Sequence, residues 1–402
     1  MVKGEKAKVL HVFGNYLAPT QIWAYHLLRN FTTVEVHIAA LHFLKYNFYD
    51  TSFKFIPNEF DAINLYKKEL NGRQILKCFQ RLIIRSLPYL LKSYDKKIVD
   101  YILQNDIQLL HAHFGPIAWQ YRKVAQQAKI PLLVSFYGYD YESYPRLNPA
   151  FKKHYQELFQ IATLFFCEGS HGRKILMEQG CPSDKIQIAP LGIEVDNIGF
   201  KIRNKKPGQL NLIQVASFAE KKGHIYTLKA FKQALNICPN IKLTLIGNAK
   251  EKEVKREVEN FIRVNNLSDY IKLREFLPYA EIIEQLYQHH VFIHPSCYTT
   301  ELDCEGGAPI VLLDAQASGM PIISTVHCDI PEEVIHQKTG WLVEERDVNS
   351  LSNAIRYFYQ METHNFEEFS RSARDFVEEK FNVKKNATVL ETYYHDITSI
   401  SD

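Results

Sequence analysis

The stretch E-L-D-C-E-G-G-A-P-I-V-L-L-D-A-Q-A-S-G-M-P-I-I-S, residues 301–324, decides how the rest of the chain is read. Three carboxylates, Glu301, Asp303 and Glu305, run into the pair Gly306-Gly307. An apolar segment carrying Asp314 follows, then Ser318-Gly319-Met320-Pro321 and a short β-type run at 321–324. Glycines at a helix start leave backbone N–H groups bare, so a phosphate can approach both them and the positive end of the helix dipole. The stretch therefore reads as a ligand-gripping loop opening a helix. Glu305 and Asp314 stand nine positions apart, about two and a half helical turns, so both can face one elongated ligand. The same residues also read as a carboxylate-capped helix with a solvated aspartate.

Working outward, the flanking segments alternate β-type and helix-type patterns: strands at 210–215, 241–247, 271–273 and 291–294, with helices from 223, from 251 to 264 and from 280 to 288. Further strands are expected near 322 and at 341–343, and the pattern is helical from 348 onward. Between the first strand and first helix lies Glu220-Lys221-Lys222-Gly223, where a lysine beside a helix N-terminus can neutralise phosphate; Lys222 is the candidate, a solvated loop lysine the alternative.

The N-terminal half shows the same order. An apolar run at 8–13 ends at Gly14-Asn15, a helix is expected at 20–30 and a strand at 34–39, the start of a doubly wound α/β domain. Later strands finish in His111-Ala112-His113 and in Tyr137-Gly138-Tyr139-Asp140. Ligands collect at the carboxyl ends of parallel strands, which makes His113, Tyr137 and Asp140 site candidates; capping and packing are their alternative roles. Tyr141, Tyr144 and Arg146 follow in a loop able to close over an acceptor. The basic stretch 201–208, ending in Pro-Gly, reads as an interdomain linker. Two domains result, 1–200 and 201–383, with a last helix at about 384–402 long enough to return to the first.

With 402 residues, 46% hydrophobic and 23% charged, the chain is globular in composition. It carries no apolar run long enough to span a bilayer and no secretory signal pattern, so a cytoplasmic location is expected. Seven cysteines without CxxC pairing argue against a disulfide framework or a structural metal. A net charge of +3 does not suggest nucleic acid. Residues 66–97 nevertheless hold nine Lys/Arg against two acids, interleaved with apolar residues at helical spacing. Such a helix can lie peripherally on the anionic inner face of a membrane, or be an ordinary solvated surface helix.

Lys221-Lys222-Gly223-His224 before a helix, Leu245-Ile246-Gly247-Asn248 at a strand end, His294-Pro295-Ser296 before the acidic loop, Glu305-Gly306-Gly307 through Asp314-Ala315, Ser318-Gly319-Met320-Pro321 and Pro331-Glu332-Glu333 resemble one family. It is that of the retaining, nucleotide-sugar-dependent glycosyltransferases of the two-Rossmann (GT-B) type, family 4 (group 1), and among them the bacterial exopolysaccharide enzymes of the colanic-acid kind. His111 through Gly115, Gly138-Tyr139-Asp140 and the segment from Ser170 to Glu194 fit the same group, so the resemblance covers essentially the whole chain.

It implies an α/β, GT-B fold of two Rossmann-like doubly wound domains facing a central cleft. The implied enzyme moves a hexose-type sugar from a nucleotide-diphosphate donor to a glycan or polyprenyl-linked acceptor in cell-surface polysaccharide synthesis, with retention, no cofactor and no metal. Carried over by position, Lys222 holds the diphosphate, helped by the amides of Gly306 and Gly307, while Ala308, Pro309, Ile310 and Val311 approach the sugar-phosphate. Glu305 faces the donor sugar and Asp314 the ribose; Gly14, Ser217, Lys221, Gly247 and Asn248 complete the donor set. Glu305, Lys222, His113 and Tyr137 are the catalytic candidates, and Asp140, Tyr141 and Arg146 the acceptor candidates.

The chain departs from the family pattern in four places. Eight residues rather than seven separate the acids, the second acid is Asp, Ser217 stands where the family has Arg, and Tyr137 where it has His. Lys221 is placed to replace the arginine. The departures at Tyr137 and Ser217 also fit a non-catalytic paralogue that binds a nucleotide or glycan as a partner subunit. A dehydrogenase is disfavoured, because no G-x-G-x-x-G follows either first strand.

Overall fold

The computed structural model describes residues 6–17, 21–44, 52–56, 94–203 and 205–399. The basic helix expected at 66–97 lies outside these except for its last four residues, which are helical together with 98–104. No described helix is long and apolar enough to cross a membrane. The chain divides into two compact units: Met1–Cys167, Arg173–Ala189 and Asn386–Asp402 form the first, and Glu168–Gly172 with Pro190–Lys385 the second.

The first unit is built on a seven-stranded parallel sheet of β1 (Ala7–Tyr16), β2 (Val34–Phe43), β3 (Lys54–Ile56), β4 (Leu109–His113), β5 (Leu132–Ser135), β6 (Leu164–Cys167) and β7 (Ile186–Ile188), in the order β3-β2-β1-β4-β5-β6-β7. The second carries six parallel strands: β8 (Leu210–Val215), β9 (Ile241–Ile246), β10 (Ile271–Arg274), β11 (Val291–His294), β12 (Ile322–Thr325) and β13 (Gly340–Val343), in the order β10-β9-β8-β11-β12-β13. Parallel strands need crossover connections, here mostly helices, and helices on both faces require near-continuous apolar runs. The central strands accordingly bury Leu10, Val12, Leu110, Val134 and Phe165 in one core and Leu210, Leu212, Leu243, Val291 and Ile293 in the other. Both sheets are doubly wound α/β, and the fold is GT-B.

Two expectations need adjustment. Strand β1 does not stop at Phe13: it runs through Gly14 to Tyr16, pairing Asn15 with His42 and Tyr16 with Phe43. Gly14 is thus an in-strand residue, against which a β-carbon would press Ile117. The basic stretch 201–208 belongs to the second unit, and two of its charges, Arg203 and Lys205, point inward while Lys201 and Lys206 stay exposed. The Arg203 guanidinium donates to Leu286 O at 3.1 Å and Ser318 Oγ at 2.7 Å. Lys205 donates to Met361 O at 2.7 Å and Tyr359 O at 2.9 Å. Both side chains are buried. Carbonyls at helix ends lack intrahelical donors, and these two cations fill several of those vacancies.

Candidate active site

In the second sheet the strand order reverses between β8 and β11, and in open α/β sheets the crevice outside such a switch point receives the ligand. Strand β8 leads through Ser217 into the 3-10 turn Glu220–Lys222, then Gly223 and the helix His224–Leu235. Gly223 takes φ +65°, and a β-carbon there would collide with the carbonyl of Pro295. Only glycine lets the turn approach the end of β11 this closely, and that approach delivers Lys222.

The Lys222 ammonium lies 2.6 Å from Glu305 Oε2. The other oxygen, Oε1, accepts from Ser296 Oγ at 2.8 Å and stands 3.4 Å from His294 Nε2. Burial alone would raise the Glu305 carboxyl, but Lys222, then His294 and Lys221, outweigh it and hold the group well below its ordinary range. Lys221 is 3.0 Å from Asp303 and donates to Cys304 O at 2.6 Å. Backbone contacts fix the acidic loop further: Glu305 N–H donates to His327 Nε2 at 3.1 Å, and His327 Nδ1 lies 2.6 Å from Glu345 Oε1. Glu220 accepts from Thr300 N–H at 2.9 Å, tying the lysine turn to the same loop. Ser296, His294, His327, Glu345 and Glu220 were not singled out as site residues. His294-Pro295-Ser296 gave a signal only as a motif at a strand end and Glu220 only as part of the lysine turn, and His327 and Glu345 gave none, because their partners are 18 and 22 positions away.

The helix expected to open at Gly306-Gly307 begins instead at Val311 and ends at Ala317. Gly306 sits at φ +86°, outside the helical range, and Pro309 disfavours the α conformation for Ala308, so the first position free to turn is Ile310. The two glycines form an irregular loop, and the carboxylate of Glu168 packs where a side chain of Gly307 would stand. Asp314 is buried on that helix and accepts from Tyr279 Oη at 2.9 Å; burial pushes its carboxyl up to about 7. Gly247 has its Cα against the carbonyl of Ala216, while Asn248 is exposed and uses its backbone carbonyl to accept from Phe218 N–H at 2.8 Å.

In the first unit, His11 on β1 is in register with His111 on β4, and with His113 they form a buried stack. His113 Nε2 is 3.0 Å from His11 Nδ1, and its Nδ1 is 2.6 Å from Tyr137 Oη. His111 bonds Tyr394 Oη at 2.6 Å and Ser135 Oγ at 2.8 Å. Burial lowers all three imidazoles. Their ligating atoms fall within 4.8 Å of one another. However, the His111 and His113 rings lie stacked 4.6 Å apart, a face-to-face arrangement that does not converge on one ion, and their nitrogens are already bonded.

Of the catalytic candidates in this unit, His113 is therefore fully enclosed, and only the half-buried Tyr137 is partly open. Asp140 is buried too: its two oxygens accept from Gly115 N–H and Tyr137 N–H, each at 2.8 Å, anchoring the start of the helix Gly115–Ala128. Burial pushes Asp140 up to about 6. Tyr141 is enclosed, and Arg146 is exposed.

Two open parallel sheets, each with a polar constellation at its strand ends, make up the GT-B architecture, and sequence comparison gives the family. The family model for glycosyl transferases group 1 matches residues 196–376, and that for glycosyltransferase family 4 matches residues 66–197. The chain is 31% identical over 291 residues to the putative colanic acid biosynthesis glycosyltransferase WcaL of Salmonella typhimurium (strain LT2), covering 70% of each. It is 23% identical over 375 residues to the UDP-Gal:alpha-D-GlcNAc-diphosphoundecaprenol alpha-1,3-galactosyltransferase of Escherichia coli, covering 86% of this chain and 92% of that one. The crystal structure of Anabaena HepE in complex with UDP and glucose superposes with a TM-score of 0.70 at 13% identity, covering 96% of this chain and 98% of that one. The chain belongs to glycosyltransferase family 4 and is an enzyme of the hexosyltransferase class.

Proposed function

We propose that the enzyme transfers a hexose-type sugar from a nucleotide-diphosphate donor to a glycan or polyprenyl-linked acceptor during exopolysaccharide synthesis. The observation that carries this reading is the Lys222–Glu305 pair at the β8/β11 switch point. Cleaving a sugar-phosphate bond builds positive charge at the anomeric carbon and negative charge on the leaving diphosphate, so preorganised cations at the phosphate supply the main stabilisation. Lys222 and Lys221 stand ready for that charge. Glu305, ionised and held by Ser296, accepts from donor sugar hydroxyls, and Asp314 serves the ribose. The acceptor hydroxyl attacks the face from which the diphosphate leaves, which retains the anomeric configuration. The relatives named for colanic acid and for a diphosphoundecaprenol acceptor support the substrate class. HepE, a fold neighbour crystallised with UDP and glucose, supports a nucleotide-sugar donor.

Calorimetric titration with a panel of nucleoside diphosphates tests the donor site. A charge-assisted contact of about 1.5–3 kcal/mol corresponds to roughly 10–150-fold in affinity, the loss expected for Lys222→Ala. Unchanged affinity in the Lys222→Ala, Asp314→Ala double variant would sink the assignment. We also propose a peripheral site on the inner face of the membrane through residues 66–97. Vesicle binding should then require anionic lipid and weaken with salt; binding indifferent to both would remove that role.

A further inference from the structure

Beside the acidic loop the second unit holds a half-open pocket of about 340 Å³ whose wall includes four carboxylates, Glu168, Asp329, Glu332 and Glu333, and the rings of Phe376 and Phe381. Glu333 is 7% exposed and Asp329 4%. Glu333 Oε2 and Asp329 Oδ2 have no hydrogen-bond partner among the described residues. The neighbouring oxygens are occupied: Asp329 Oδ1 accepts from His171 N–H at 2.8 Å, and Glu332 Oε1 from Ser170 N–H at 2.6 Å. The lysine lining the cavity, Lys380, places its ammonium 3.0 Å from Glu379. Buried carboxylates are ordinarily paired or fully hydrogen-bonded, so Glu333 and Asp329 each keep one oxygen open to a donor.

A divalent ion is a poor match, because the carboxylates do not bring three ligand oxygens within 4.8 Å of one another. The volume and the apolar part of the lining suit an organic ligand of monosaccharide size. We propose that this cavity binds a small ammonium-bearing molecule of amino-sugar size, its ammonium held by Glu333 and Asp329 and its body against Phe376 and Phe381. The site shares Ala308 with the donor assignment but stands without it. It is nevertheless adjacent to the acidic loop: Ala308 lines the cavity, and Glu168 packs on Gly307.

Both open carboxyls are shifted toward their protonated forms. Burial, then Glu168, Asp329, Asp314 and Glu332, push the Glu333 carboxyl well above its ordinary range. Burial also raises Asp329 to about 6; His171 opposes this, whereas Glu332 and Cys328 add to it. An arriving ammonium favours the ionised carboxylates, so binding should release protons.

The test is isothermal titration of the full chain at pH 7 with glucosamine, N-acetylglucosamine and glucose, each in two buffers of different ionisation heat. The expected result is saturable binding of glucosamine alone, with proton release, weakened at least tenfold in Glu333→Gln and in Asp329→Asn. Thermal unfolding of each variant checks that it has folded. Equal binding of all three sugars, undiminished binding in both folded variants, binding without proton release, or no glucosamine binding at 10 mM would each overturn the proposal.

Discussion

Single residues set how closely the backbone segments of the site approach one another. Gly223 and Gly180 both occupy positive φ, at +65° and +94°, but their surroundings differ: a β-carbon meets the Pro295 carbonyl at the first and open space at the second. Gly180→Ala should therefore carry only the conformational cost, about 1 kcal/mol. Gly223→Ala adds a collision with backbone that cannot swing aside, and about 2–4 kcal/mol is expected. Urea unfolding compares the two variants directly; equal losses would show that the contact with Pro295 is relaxed at no cost. Gly223→Ala should also weaken nucleoside diphosphate binding, because the same turn carries Lys222.

At the level of elements, the stretch 201–208 shows where composition misleads. Arg203 and Lys205 gave the segment the look of a solvated linker, yet each is buried on carbonyl oxygens. Lys205→Met leaves Tyr359 O and Met361 O without their donor and should cost about 1–3 kcal/mol near neutral pH. Burial pushes the Lys205 ammonium down to about 8, whereas in the unfolded chain it titrates near 10.4. Between these values the unfolded state binds more protons, so the native chain gains stability as pH rises. The deficit of Lys205→Met should consequently grow from pH 8 to pH 10, read from chemical unfolding midpoints; a deficit that shrinks would reverse this argument.

Most strands were legible, because parallel strands buried on both faces must be written as apolar runs; the three-residue edge strand β3, whose Lys54 is exposed, was not. The helix start in the acidic loop was misplaced, since two glycines signal bare amides without fixing φ; the +86° at Gly306 and the proline at 309 decide it. The acidic centre was legible in Glu305 and Lys222. Its supports, His327 with Glu345 and Ser296, arise from contacts that local sequence does not encode.

Across the whole molecule, each unit has its own sheet and its own core, and the final helix contributes to the first. Glu391 Oε1 accepts from Thr32 N–H at 2.6 Å and Thr33 N–H at 2.5 Å. Tyr394 Oη meets His111 at 2.6 Å, inside the histidine stack. A chain ending at Lys385 leaves those two amides and a His111 nitrogen without partners, at about 1–3 kcal/mol each, and exposes the strand core beneath Tyr394. The second unit keeps its sheet, the Lys222–Glu305 pair and the contacts of Lys205. Calorimetry of the shortened chain should therefore show a first-unit transition displaced to markedly lower temperature. A second transition should still rise when nucleoside diphosphate is added, because a ligand that binds only the folded form stabilises it by mass action. Loss of both transitions together would mean that the units do not fold independently. Retention of the first at its original temperature would mean that Glu391 and Tyr394 contribute nothing beyond what solvent replaces.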